Sequence, residues 1–424
     1  MLSRADAALV QWDAAIPGLA LLLDPDGFAE TLAAHPLAPE FDSVELMYVR
    51  YKPGTNCLAD FRLRCGDRET RMYAKAFRSD AREKFDKAAG VALNRPGSAG
   101  LALRFAAHDV IAHEFPLDPK LPALTRLESP DRARLLGRIL RTPGAEIEGD
   151  VIPLAYKPQR RFVGRLDREQ RPPVVLRLYA CEERFRAARS SEALEAGEIL
   201  HLPRRVGRSK RHRAHAFEWL PGATLREVLD APEPSIGSLQ HVGHALAELH
   251  GQDAKLPLEP KGRVQQLGQL IETLDILLPS AAPLNRAIRL RLERCDRSNI
   301  GAPRPIHGDL HEKQVLLAGD RVGLCDLDDA CLGDPADDLG LLIAHIERSR
   351  LTGRRSELLA RQTVETLLES YRSARPMAST RLQRAVAEGL LHLAHHPFRN
   401  REPDWPDATR RLLERVHDLL GGVG

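Results

Sequence analysis

Two adjoining runs decide the fold: Ile306-His-Gly-Asp-Leu-His-Glu-Lys-Gln-Val-Leu-Leu317 and, after the turn Ala318-Gly-Asp320, Arg321-Val-Gly-Leu-Cys-Asp-Leu-Asp-Asp329. The apolar stretches on either side of the glycine turn predict a β-hairpin. Such a hairpin brings Gln314, which opens the first strand, beside Asp326, which closes the second. Asp309 then stands close by on a tight loop. Phosphoryl transfer uses such a set: a carboxylate to orient and deprotonate an acceptor hydroxyl, and oxygen ligands for a Mg²⁺ ion on the phosphates. Carboxylate and amide oxygens suit a hard cation; thiols and imidazoles do not.

Upstream of this stretch the texture is β-rich twice. Residues 44–77 read as three strands, with Val44-Glu-Leu-Met-Tyr-Val-Arg-Tyr51, the turn Lys52-Pro-Gly-Thr-Asn56 and a third strand around Lys75. Residues 151–180 repeat the pattern. Tyr51-Lys-Pro matches Tyr156-Lys-Pro, Lys75 falls opposite Arg177, and Glu114-Phe-Pro falls opposite Glu218-Trp-Leu-Pro, at offsets of 105, 102 and 104 residues. Three matches in the same order point to a duplicated unit; two copies are too few for a solenoid. From about 223 onward the pattern is helical except near 314–328. Strands first and helices after predict an α+β fold of segregated parts.

The composition agrees. A chain of 424 residues suggests two or three domains, and 43% hydrophobic with 29% charged residues is globular usage. A net charge of +3 argues against a nucleic-acid-coating protein. No apolar run is long enough to span a membrane, and the first residues lack a secretory leader, so the expected setting is cytoplasmic, without membrane or nucleic-acid partners. Cys57, Cys65, Cys181, Cys295, Cys325 and Cys331 form no CxxC pair and read as reduced thiols.

His307-Gly-Asp-Leu-His311 with Gln314-Val-Leu, then Leu324-Cys-Asp-Leu-Asp-Asp329 and Gly333-Asp-Pro-Ala-Asp-Asp-Leu339, resembles the aminoglycoside phosphotransferase/choline kinase group of protein-kinase-like enzymes. Gln314, where most members have Asn, is similar to the maltokinase-like branch. The resemblance covers roughly 150–424. It implies a bilobal fold: a cap module over 1–150 resembling a second N-lobe, an N-lobe over 151–222, and a helical C-lobe over 223–424. It implies an ATP-dependent kinase acting on a hydroxyl of a small molecule, with a sugar or amino sugar favoured as acceptor. Asp309 would be the base, and Gln314 and Asp326 the Mg²⁺ ligands. Arg177 would bind phosphate on the third strand, with Glu192, on a helix over 182–197, as its partner. The backbone of Glu218, Trp219 and Leu220 would receive the adenine.

This sequence departs from the family pattern at two places. Arg177 stands where Lys is usual, and Arg is not a neutral replacement. The turn Lys157-Pro-Gln-Arg-Arg161 has no glycine, leaving Arg160 or Arg161 to contact the phosphates by side chain. These departures motivate a competing class, a nucleotide-binding pseudokinase or regulatory module. Asp326-Leu-Asp328 alone would also suit a nucleotide-sugar glycosyltransferase, but that leaves the Asp309 loop unexplained. His307-x-x-x-His311 has zinc spacing only on a helix, which Gly308 opposes. His307 reads as a brace for the loop, and His311 either lines the acceptor pocket or packs locally. Asp328 either shares the metal or hydrogen-bonds the loop, while Asp334 and Asp338 read as caps of a helix over 337–348.

Overall fold

Apolar runs broken by turns along 43–114 fold into a five-stranded antiparallel sheet whose inner strands are buried on both faces. Its strands are β1 (Ser43–Lys52), β2 (Asn56–Cys65), β3 (Arg68–Phe77), β4 (Ala102–Phe105) and β5 (Val110–Glu114), in the order β1-β2-β3-β5-β4. One face, with Cys57, Ala59, Phe61 and Ala74, is buried against the helices Leu19–Leu23 and Pro25–Ala33. Phe28 stacks on Phe61 at 3.9 Å between centroids. The computed structural model describes residues 2–93, 100–142, 147, 149–258, 263–294 and 302–422. Cys295 lies outside them, and the other five cysteines are free thiols.

The second sheet is built from β6 (Val151–Lys157), β7 (Arg161–Arg168), β8 (Arg171–Tyr179), β10 (Arg205–Ser209) and β11 (Ala214–Glu218), with the short β9 (Leu200–His201) leaving for another sheet. Its order, β6-β7-β8-β11-β10, is that of the first sheet. Registers coincide as well. Lys75 is paired with Leu58 and Ile111, and Arg177 with Val163 and His215. Again two helices, Leu124–Leu127 and Arg132–Leu140, cover the face carrying Phe162, Leu176 and Leu178.

This packing starts the second unit earlier than the sequence-drawn boundary at 151, because Leu121, Leu124, Leu135 and Ile139 belong to its core. A matching pattern runs from Asp13 through Ile16-Pro17 to Leu19 and Leu22, and from Asp118 through Leu121-Pro122 to Leu124 and Leu127. The two aspartates do the same job. Asp13 accepts hydrogen bonds from Tyr51 Oη at 2.7 Å and the Gly54 amide at 2.8 Å; Asp118 accepts them from Tyr156 Oη at 3.0 Å and the Gln159 amide at 2.7 Å. Gly54 and Gln159 both adopt left-handed backbone, φ 60° and 58°. Gln159 does so without glycine's freedom, a strain of about 1–3 kcal/mol that the anchored turn must hold.

The helical part holds a four-stranded sheet, β12 (Ala223–Thr224), β14 (Val315–Ala318), β15 (Arg321–Leu324) and β9, and the pair β13 (Arg304–Ile306) with β16 (Cys331–Gly333). β14 and β15 are the hairpin expected from the sequence. Around them pack the helices Leu239–Gly251, Pro335–Leu351, Glu357–Ala374, Ser379–Leu393 and Trp405–Gly421. No helix among the described residues is long and apolar enough to cross a membrane. The helix expected over 182–197 stops at Ala187 and gives way to a 3₁₀ turn, Ser190–Ala193, where Ser191 hydrogen-bonds the Ala188 carbonyl instead of extending the helix.

The first unit rests on both neighbours. Tyr51 meets Phe398 edge-on at 6.3 Å, Arg399 donates to Tyr48 Oη at 2.5 and 2.8 Å, and Arg401 pairs with Asp6 at 2.7 Å. Arg50 Nη1 donates to the Pro158 carbonyl, on the turn between β6 and β7, at 3.3 Å. Leu58 and Tyr73, on the sheet face away from its own helices, pack into the core of the second unit.

Candidate active site

The loop Ile306–Leu310 is pinned from below. Asp338 accepts from the amides of His307 at 2.6 Å and Gly308 at 2.9 Å, and its Oδ2 lies 3.1 Å from Nε2 of the buried His250. His250 in turn meets Tyr371 Oη at 3.0 Å. Burial opposes charge on Asp338, but the bonds from His250 and the loop outweigh it and hold its carboxyl below the usual range. Gly308 sits at φ 84°, where a Cβ would meet the Asp329 carbonyl at 2.3 Å, so the loop cannot carry a side chain there. His307 spans the site, with Nε2 3.0 Å from the Cys325 carbonyl.

This corrects one expectation. Asp334 does cap the helix Pro335–Leu351, accepting from the Ala336 amide, whereas Asp338 braces the Asp309 loop. The correction gives a structural role to Asp338, His250 and Tyr371, which the sequence reading missed. Asp338 was legible only as the second carboxylate of Asp334-Pro-Ala-Asp-Asp338, because its partner loop lies 30 residues away.

Asp309 stands at the mouth of this loop. Burial pushes its carboxyl up to about 6, the nearby negative charge of Asp329 adds to that, and His307 opposes it. Across the hairpin, the Gln314 side-chain amide lies 3.4 Å from Asp326 Oδ2. Asp326 itself has left-handed backbone, φ 68°. Its carboxylate receives Arg161 bidentately at 2.7 and 2.9 Å and Arg177 at 3.1 Å. Asp328 takes Arg177 at 2.9 Å, Arg161 at 3.3 Å and Tyr179 Oη at 3.2 Å. Burial works against both charges. Arg177 and Arg161 nevertheless hold Asp326 well below the usual carboxylate range, while Asp328, beside that fixed charge, is pushed up. Arg177 is buried, and despite the cost of burial the two carboxylates raise its pKa still further.

Glu192 is not the partner of Arg177. With its helix broken, it pairs with Arg205 and reaches Arg189 at 4.0 Å; Asp326 and Asp328 take its expected place. Of the two turn arginines, Arg161 enters the site, whereas Arg160 is exposed and forms no ion pair with a described residue. His311 lies with its ring 5.3 Å from that of His345, and burial, helped by His307, lowers its pKa to about 4. It is therefore a neutral group near neutral pH. At the end of β11, Glu218 pairs with Arg204 at 2.5 Å, Trp219 lies under Arg165 at 4.8 Å, and Leu220 covers Gly323. The Glu218 side chain thus points into an ion pair, and any base recognition there falls to the backbone.

The donor chemistry fits Mg²⁺. Asp326, just after β15, would offer a carboxylate; Gln314, just before β14, turns its Nε2 to Asp326 while its Oε1 accepts from the His311 amide at 3.1 Å, so it would offer its oxygen to an ion only by giving up that bond. Among the described residues no group of three His, Cys, Asp or Glu is arranged to hold a metal by itself. That suits an ion that takes one or two protein oxygens and completes its shell with phosphate and water.

The second sheet and the helical lobe meet at the loop that carries Asp309, which His307 ties to the Cys325 carbonyl next to the ion-paired Asp326. The phosphotransferase enzyme family model matches residues 157–377, more than half of the chain, and the chain belongs to that family. It is similar in fold to several solved structures. A thermostable mutant of aminoglycoside phosphotransferase APH(4)-Ia in ternary complex with AMP-PNP and hygromycin B is 17% identical, over 68% of this chain and 98% of that one, with a TM-score of 0.48. A putative fructosamine-3-kinase from Thermobifida fusca YX-ER1 is 17% identical, over 66% and 98%, at 0.46. The macrolide 2'-phosphotransferase MphH from Brachybacterium faecium is 18% identical, over 67% and 98%, at 0.43.

Proposed function

We propose that this phosphotransferase moves the γ-phosphoryl group of ATP to a hydroxyl of a sugar, amino sugar or related small acceptor, in the cleft between the second sheet and the helical lobe. The observation that carries this reading is the convergence of Asp309, Gln314 and Asp326 with the guanidiniums of Arg161 and Arg177. Asp309 takes the acceptor proton as the oxygen forms its bond to phosphorus and the bond to the β-phosphate oxygen breaks. A carboxyl pushed up to about 6 is still ionised at neutral pH and is a stronger base than an ordinary aspartate. Mg²⁺, held by Asp326 and Gln314, would supply neutralising charge on the phosphates. Arg177 and Arg161 each offer a fork that can exchange carboxylate oxygens for phosphate oxygens. The first unit is read as a cap on this cleft, and Gln314 supports the maltokinase-like likeness.

The test is a transfer assay with labelled ATP and Mg²⁺ across sugars, amino sugars and amino alcohols. Phosphorylated acceptor that depends on Asp309 supports the proposal. Tight ATP binding with no transfer and no phosphate release would favour the pseudokinase instead.

A further inference from the structure

Arginines elsewhere in the molecule are neutralised: Arg161 by Asp326, Arg184 by Asp329, Arg401 by Asp6 and Arg348 by Glu402. Four cations on and around the turn between β6 and β7 are not. Lys157 and Arg160 flank the turn between β6 and β7. Arg50 reaches that turn from the first unit through the Pro158 carbonyl. Arg399, on the short helix His396–Arg399, is steered by its two bonds to Tyr48 Oη and lies 5.0 Å over that ring. None of the four forms an ion pair with a described residue. They also feel one another. Burial lowers the pKa of Lys157, and the charges of Arg161 and Arg399 lower it further, while Asp309 and Asp326 pull the other way. Arg50 feels Arg160 and Arg399, and Arg160 feels Arg399. Lys157 is the cross-strand partner of Arg161, which bonds Asp326, and so stands on the same face of the hairpin as the contact to that carboxylate.

Unpaired like charges gathered at one wall are unfavourable in the free protein unless a ligand of opposite sign occupies the space. The wall is shared by all three parts of the molecule, so its assembly depends on the docking of the first unit. We infer that the acceptor carries a phosphate or carboxylate group as well as its reacting hydroxyl, and that Arg50, Lys157, Arg160 and Arg399 hold that anion. This rests on the phosphotransfer reading of the cleft. The chemistry is consistent. An anionic acceptor must approach a triphosphate and an ionised Asp309, and the cationic wall offsets that repulsion. An ammonium-bearing acceptor would meet like charge instead. The reaction remains balanced: the acceptor oxygen bonds to the γ-phosphorus, ADP leaves, and the hydroxyl proton passes to Asp309.

The experiment fills the donor side first. Protein saturated with Mg²⁺ and AMP-PNP is titrated with inorganic phosphate and, separately, with choline, followed by rates for glucose, glucose 6-phosphate, glucuronate and glucosamine. Phosphate should bind saturably and choline should not, and the two anionic sugars should separate a phosphate from a carboxylate preference. Arg399→Ala should weaken phosphate at least tenfold with AMP-PNP affinity unchanged. Arg399→Lys should recover most of it, and Arg50→Ala should repeat the loss independently. Preference for choline or glucosamine, or phosphate binding untouched in both alanine variants, overturns the inference. Failure of AMP-PNP to bind at all is a different result and would remove the underlying kinase reading.

Discussion

The two five-stranded sheets have the same strand order and the same register around Lys75 and Arg177, yet their ligand-side faces have different surroundings. On the second sheet, Arg161, Arg177 and Tyr179 meet Asp326 and Asp328 from the helical lobe. On the first, Lys75 has no carboxylate partner among the described residues. Burial brings its pKa down to about 8, and the nearby Arg50, Lys120, Lys52 and Lys84 press it the same way. The apolar part of that face, Leu58 and Tyr73, is filled by the second unit. One scaffold therefore holds its cation against two carboxylates of the helical lobe. The other holds its cation over the Phe77 ring and among other cations. A strand position confers no function until the opposite wall is supplied.

Removing the proposed base, Asp309, should have the largest effect. Asp309→Asn should bind ATP normally and lose about 10²–10⁴-fold in turnover, the usual worth of a general base. The raised carboxyl also fixes the acid limb. Because Asp309 must be ionised to accept a proton, turnover should fall as pH drops through about 6, rather than near 4 as for an ordinary aspartate. A pH–rate profile with no inflection above pH 5 would detach Asp309 from that role.

Asp326→Ala should weaken Mg²⁺–nucleotide binding by at least ~10–100-fold, the range seen when even an indirect metal contact is lost. Adenosine binding should not change. Asp328 still pairs with Arg177 in that variant, which protects the fold from an unpartnered buried charge. Equal losses for nucleotide and nucleoside would contradict a metal role.

The smallest expected effect lies where the two units agree. Tyr51→Phe and Tyr156→Phe each remove one hydrogen bond to a buried aspartate, and each should cost about 1 kcal/mol in stability without altering ATP affinity. Denaturant titration of the two variants checks that equivalence. A large activity loss in only one of them would give its aspartate a role beyond anchoring the turn.

Local pattern revealed much of this. Apolar runs bounded by turns marked the strands, and the glycine turn marked the hairpin that faces Gln314 with Asp326. The offset matches placed Lys75 and Arg177 in equivalent registers. What local pattern could not give was convergence from distant elements. Arg161 and Tyr179 reach Asp326 and Asp328 across nearly 150 residues or more, and Asp338 reaches back to the Asp309 loop. Glu192 failed as a partner because Ser190 and Ser191 end the helix that was to carry it. The start of the second unit was in fact written in the sequence, as Asp118 through Leu127 repeats Asp13 through Leu22. Its two helices are so short that their periodicity is faint, and the repeat shows only once the Tyr–Asp bonds are seen.

The contrast between the sheets is tested most directly by Mg²⁺–AMP-PNP affinity in Arg177→Ala and Lys75→Ala, measured side by side by calorimetry. Loss of charge-assisted hydrogen bonds to phosphate should cost Arg177→Ala about 1.5–3 kcal/mol, roughly 10–150-fold in Kd. Lys75→Ala should stay within about twofold of the unaltered protein, because Lys75 sits on the first sheet with no carboxylate partner among the described residues and lies away from Asp326 and Asp328. If Lys75→Ala instead abolishes binding while Arg177→Ala leaves it intact, the nucleotide belongs to the first sheet, and the assignment of the cleft between the second sheet and the helical lobe is wrong.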